Sequence, residues 1–182
     1  MRLTDSRYEE IKQLITELLS DYSISTLPID VFLLAERMAI KICKYSEFVV
    51  DERIKIISAS QDGMSCYVAN SMSYLILYND EMDFNRIRFT IAHEIGHIVL
   101  EHEYSCEETE SEADYFARNL LVPMGVLIYK NISDYRVIEK MFTVSSSVAG
   151  NVIRTLTIRL DYGHEQLRDY EIELLKLFNM LQ

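Results

Sequence analysis

The chain has 182 residues, 49% of them hydrophobic, and carries 29 acidic against 18 basic side chains for a net charge of −11. That size and apolar fraction support one domain with a sizeable core, or a core with a small appended helical part. The acidic balance argues against nonspecific nucleic-acid binding, which rests on neutralising phosphates with Lys and Arg. Cys43, Cys66 and Cys106 are odd in number and widely spaced, which points to free thiols in a reducing cytoplasm. The first residues lack the apolar core of a signal peptide, and no apolar run reaches the roughly 18 residues of a membrane span.

Tyr8, Ile11, Leu14, Ile15, Leu18 and Leu19 fall at helical spacing and predict an amphipathic helix over residues 6–20. Pro28 stands just ahead of a second predicted helix, residues 30–38. Residues 41–45, 54–58, 64–69 and 74–78 read as strands, the last three separated by turn chemistry at 61–63 and 70–73. A small, mostly antiparallel sheet of three or four strands is expected to pack on the helix that follows.

That helix, residues 86–100, is apolar nearly all round and therefore reads as buried. It carries His93-Glu94-Ile95-Gly96-His97. Two histidines four apart lie one above the other on a helix face, where two neutral imidazoles can bind one zinc ion. Glu94 follows the first histidine directly and can take a proton from water held at the metal. Unpaired, these three polar groups would be costly in a buried helix, and a metal removes that conflict. Gly96, which costs about 1 kcal/mol relative to Ala in a helix interior, implies very close packing at its turn.

A catalytic zinc needs a third protein ligand and an open position. Residues 110–121 read as a helix ended by Pro123, with 110, 113, 114, 117 and 121 on one side. Ala113 and Ala117 are small and let that side approach the histidine helix. Glu110 is the favoured third ligand. Glu112, rotated by about 200° from it, is the alternative. Asp114 is placed to accept a hydrogen bond from the far nitrogen of a ligand histidine. Glu101, Glu103, Glu107 and Glu108 read as a solvated acidic loop. Cys106 is near enough in sequence to touch the metal, but the ligand set is complete without it.

Beyond Pro123 the chain reads as helical at 126–130, 135–142, 145–156 and 165–181. The expected organisation is a core of residues 1–123 and a helical region, 124–182, packed on it. Residues 136–154 look like a helix-turn-helix. Lys130, Arg136, Lys140, Arg154 and Arg159 against Asp134 and Glu139 give 130–159 a local balance of +3. The second helix opens Ser145-Ser-Ser-Val-Ala-Gly, without the side chains that read base edges. A packing role, or a platform for a protein substrate, is expected there.

Arg88-Phe-Thr-Ile-Ala-His-Glu-Ile-Gly-His97, followed by Glu110-Ser-Glu-Ala-Asp-Tyr-Phe-Ala-Arg-Asn-Leu-Leu-Val-Pro123, resembles the ImmA/IrrE family of zinc metallopeptidases. Pro28–Ile40 resembles that family's N-terminal helix and the approach to its first strand, and Met141-Phe-Thr-Val-Ser145 a later segment. The resemblance implies an α+β, zincin-like fold with a gluzincin-type glutamate ligand. It implies that His93, His97 and Glu110 bind one zinc per chain and that Glu94 is the general base. It also implies a partner: many members are encoded by phages or mobile elements, or act in stress responses, and cut a helix-turn-helix repressor to release its genes. Zincins commonly bind an extended substrate on an edge strand, and residues 74–78 are the candidate here. The family usually has Gly at the end of its N-terminal helix, where this chain has Ala39. A second donor to the reaction's oxyanion could come from His102, Tyr104, Tyr115 or His164. Two other readings compete: a non-catalytic metal-binding regulator that acts by binding a repressor, and a DNA-binding protein built on residues 130–159.

Overall fold

In the computed structural model, which describes residues 3–164 and 166–181, the elements follow in the order α1 (Asp5–Asp21), α2 (Val31–Arg37), β1 (Lys41–Lys44), α3 (Val50–Ala59), β2 (Gly63–Val68), β3 (Ser73–Tyr78), α4 (Phe84–Val99), α5 (Glu107–Leu121), α6 (Met124–Tyr129), α7 (Tyr135–Phe142), α8 (Ser146–Asp161) and α9 (Asp169–Leu177). The fold is α+β and zincin-like. Two units are distinguishable. One is Val31–Ala117; the other joins the chain up to Asp30 with the chain from Arg118 onward. No helix among the described residues is long and apolar enough to cross a membrane.

The first unit holds a three-stranded sheet of order β1-β3-β2. β1 is parallel to β3 through four residue pairs, and β2 is antiparallel to it through six. Ile76, Leu77 and Tyr78 of β3 are all buried, as expected of a strand paired on both sides and covered. This corrects the expectation that residues 74–78 form a free edge: they are the central strand, and the outer strands are β1 and β2. The partner that converts β3 from edge to centre is β1, whose parallel pairing joins residues far apart in sequence.

Residues 54–58, expected as a strand, lie instead in α3. A short run such as Ile54, Ile56 and Ile57 does not separate helix from strand by periodicity. Asp51 and Glu52 occupy the first turn, where acids complement the helix dipole. No residue of α3 is buried, so no sheet face selects the extended form.

Several helices end alike. After α1, α2, α4, α6, α8 and α9 the residues Ser23, Ala39, Glu101, Asn131, Gly163 and Asn179 take positive φ. The next amide bonds back to a carbonyl five residues earlier, as in Ile40 N–H to Ala35 O at 2.9 Å and His102 N–H to His97 O at 3.0 Å. This is the Schellman ending, which usually carries glycine; here only Gly163 does.

In the second unit α1 and α6 pack on α9, and α7 packs on α8. The C-terminal helix is shorter than residues 165–181: it starts at Asp169, and Glu165 lies outside the described residues. Thr143, with φ 54°, closes α7, and the Ser145 hydroxyl caps α8 by accepting from Val148 N–H. Arg159, counted above among the basic groups of this region, bonds Glu171 through both terminal nitrogens, so its charge is neutralised within the unit.

Candidate metal centre

α4 is fixed at its start by the Asp83 carboxylate, which accepts from Arg86 N–H. The Arg86 guanidinium also forks onto Asp62, at 2.8 and 2.9 Å. Two close approaches then seat the helix. A Cβ on Gly63 of β2 would lie 2.4 Å from Thr90 Cγ2 of α4, and a Cβ on Gly96 of α4 would lie 3.0 Å from Phe116 Cδ1 of α5. The very close packing expected at Gly96 is thus supplied by Phe116, whose side chain is fully buried.

Between these contacts α4 and α5 bring three side chains together. His93 Nε2 lies 3.0 Å from His97 Nε2 and 3.3 Å from Glu110 Oε2, and His97 Nε2 lies 3.6 Å from Glu110 Oε1. A tetrahedral ion with bonds of about 2.0–2.1 Å holds its ligand atoms about 3.3 Å apart, so this triangle fits one. It is the one group of three or more metal-ligating side chains found among the described residues. The Ser105 hydroxyl donates to Glu110 Oε1 at 2.7 Å and steadies that carboxylate.

The outer nitrogens sharpen the fit. Asp114 Oδ1 lies 3.0 Å from His93 Nδ1. A carboxylate only accepts, so His93 Nδ1 carries its hydrogen, and a neutral His93 turns the lone pair of Nε2 into the triangle. His97 Nε2 faces that lone pair at 3.0 Å. Either His97 supplies the hydrogen between them from Nε2, or a cation, a proton or a metal ion, lies there. Without a metal the two rings differ as bases. Burial would lower His93, but the bond to Asp114 and the charges of Glu94, Asp114 and Glu110 outweigh it and raise the group above an ordinary imidazole. Burial and then the neighbouring His93 charge push His97 down to about 4. Without a metal, His93 is thus the member of the pair that more readily holds a proton.

Glu94 is buried beside the triangle. Burial raises its pKa, against the opposing hydrogen bond from Ser65 and the charge of His93. Ser65 of β2 donates its hydroxyl to Glu94 Oε2 at 2.7 Å. Glu112 does not join the triangle. It is buried, and its Oε2 lies 3.1 Å from Nε2 of His102, whose Nδ1 lies 2.9 Å from His97 Nδ1. Both ring nitrogens of His102 are thus engaged, so it is not available as the second oxyanion donor considered above. Of the other candidates for that role, Tyr104 is exposed, Tyr115 is half-buried on α5, and His164 belongs to the second unit. Cys106 meets the Thr109 hydroxyl and stays outside the triangle.

Sequence reasoning did not find Ser65 or the His102–Glu112 contact. Ser65 is found only once the register of β2 against α4 is known. His102 had a trace in sequence, its place five residues after His97, but only the turn at Glu101 folds it back.

Among curated proteins none matches the chain. The family model Peptidase M78, described as the IrrE N-terminal-like domain, matches residues 35–154, a span that contains His93, Glu94, His97 and Glu110. With about two thirds of its length matched, the chain belongs to this family of peptidases.

Proposed function

We propose that this protein is a zinc-dependent endopeptidase of the cytoplasm that cleaves a helix-turn-helix transcriptional repressor and so relieves repression. The observation that carries the catalytic part is the His93–His97–Glu110 triangle with Glu94 buried at its side. His93, His97 and Glu110 would hold the ion and leave its fourth position open. Bound zinc would supply Lewis acidity toward water and the scissile carbonyl. Glu94 takes a proton from the attacking water and returns it to the leaving amine nitrogen. Its buried setting suits a base that must carry a proton for part of the cycle, and Ser65 keeps its carboxylate from turning away.

Two features support a protein substrate. Glu110 and Asp114 are each about half exposed, at 46% and 47% of the side chain, so the triangle opens to solvent on the α5 side. β2 has a sheet edge that β3 does not cover, and it lies against α4 beside Glu94. An extended segment added to that edge would run past the proposed base. The net charge of −11 favours encounter with a basic partner, and DNA-binding repressors carry a positive surface. The repressor itself is an expectation from the family resemblance.

The test is incubation of the zinc-loaded protein with a helix-turn-helix repressor encoded beside it. A single site-specific cut that disappears in Glu94→Gln, with zinc content retained, is the expected result. Full cleavage by Glu94→Gln would remove the mechanism. Derepression by a catalytically dead variant would favour action by binding alone.

A further inference from the structure

His102 and Glu112 lie outside the triangle, yet they form a chain that ends on it. α4 stops in a left-handed turn. Glu101 has φ 55°, its amide bonds to Ile98 O at 3.2 Å, and the amide of His102 bonds to His97 O at 3.0 Å. The last of these bonds sets the residue after the turn over the one five before it. In many such endings an apolar pair meets there. Here two imidazoles meet, Nδ1 to Nδ1 at 2.9 Å, and the far nitrogen of the second lies 3.1 Å from Glu112 Oε2.

With a cation between the Nε2 atoms of His93 and His97, one arrangement of hydrogens satisfies the remaining contacts with His97 and His102 neutral. The Glu112 carboxylate can only accept, so Nε2 of His102 carries a hydrogen. A neutral His102 then has its lone pair at Nδ1, and His97 must supply the hydrogen between the two Nδ1 atoms. His97 is left with a bare lone pair at Nε2, the atom that faces His93 and Glu110. His102 and Glu112 are 7% and 9% exposed in their side chains, whereas Asp114, on His93, is 47% exposed. Water can stand in for Asp114 as an acceptor. It has far less access to replace the buried pair, whose loss strands a polar group.

We infer that His102 and Glu112 are a positioning pair that holds His97 in its Nδ1–H form and thereby pre-forms the metal site, an inference that rests on reading the triangle as a metal centre. Removing a partner of this kind from a ligand histidine typically weakens metal binding by about 10- to 100-fold. The larger end of that range belongs to Glu112 and His102, the smaller to Asp114.

The experiment uses the whole protein with 15N-labelled histidine, above the ordinary imidazole pKa of about 6.5. It compares wild type with His102→Leu, Glu112→Leu and the conservative His102→Gln, which keeps an acceptor toward His97 and a donor toward Glu112. Imidazole nitrogen shifts report the tautomer in the metal-free protein, and competition with a chelator reports zinc affinity. Expected are an Nδ1–H His97 in wild type, and a mixed or Nε2–H form in both leucine variants. Zinc binding should weaken about 10- to 100-fold in those variants, with partial recovery in His102→Gln. An Nε2–H His97 in wild type, or leucine variants with unchanged tautomer and affinity, would overturn the assignment. The wild-type spectrum decides even where a variant does not fold. A wild type that binds no zinc would fail the metal-centre reading, while its His97 tautomer would still decide for or against the pair.

Discussion

The Ser65 hydroxyl and Glu94 Oε2 are 2.7 Å apart because β2 and α4 run in step. Gly63 faces Thr90 and Ser65 faces Glu94. Two strand residues advance about 6.7 Å and one helical turn of four residues about 6 Å, so consecutive inward positions of the strand meet consecutive turns of the helix. A hydrogen bond to a charged group contributes about 1.5–3 kcal/mol. Ser65→Ala should therefore lower the peptidase rate by about 10-fold or more while zinc content stays at the wild-type level. An unchanged rate in steady-state assays on a cleaved repressor would show that Glu94 holds its place without Ser65.

Gly63 tests the same packing from the other side. Its Cβ would meet Thr90 Cγ2 at 2.4 Å and Leu77 O at 2.9 Å. Gly63→Ala should destabilise the protein by about 1–3 kcal/mol through overpacking, read as a lower urea midpoint. Adding Thr90→Ser removes the methyl but not the carbonyl, so the double variant should recover only part of the loss. Full recovery would mean that the strand backbone is not the obstacle.

Gly96→Ala sets two effects against each other. Alanine gains about 1 kcal/mol over glycine in a helix, but its Cβ would stand 3.0–3.2 Å from three atoms of Phe116. Phe116 is fully buried and has little room to give. The contact should win, for a net loss of about 1 kcal/mol, and the pressure on α5 should loosen Glu110 and weaken zinc binding. Pairing it with Phe116→Leu should restore zinc affinity. A Gly96→Ala protein more stable than wild type, with unchanged zinc affinity, would show that the helices yield freely.

Much of the site was legible because α4 and α5 are long and strongly patterned. Apolar residues at helical spacing placed His93, Glu94 and His97 on one helix and Glu110 and Asp114 on the next, and the small Ala113 and Ala117 implied that the two lie close. What escaped was set by contacts between distant residues. β1 pairs with β3 in parallel, and nothing local in Lys41–Lys44 indicates that partner. α3 was misread because three isoleucines in a short exposed segment favour a strand by composition alone. Helix ends were obscured because Ser23, Ala39 and Glu101 occupy positions where glycine is the usual mark, and the His97–His102 contact was hidden with them.

Ala39 offers the most direct check of that last point. It has φ 55° at the end of α2, in the region where an L-residue costs about 1–2 kcal/mol. Ala39→Gly should raise stability by about 1 kcal/mol, less the entropy that glycine adds to the unfolded chain. The site should be untouched. Denaturant unfolding checks this, and a loss of stability would mean that the Ala39 methyl makes packing contacts that outweigh its strain.

His93, His97 and Glu110 are proposed to hold one zinc ion. Metal content per chain, measured on zinc-saturated wild type, Glu110→Gln and Glu112→Gln, tests this assignment most directly. About one zinc is expected in wild type and in Glu112→Gln, and little in Glu110→Gln, because a catalytic site depends on each of its three protein ligands. Zinc lost from Glu112→Gln but kept by Glu110→Gln, or absent from all three proteins, would contradict it.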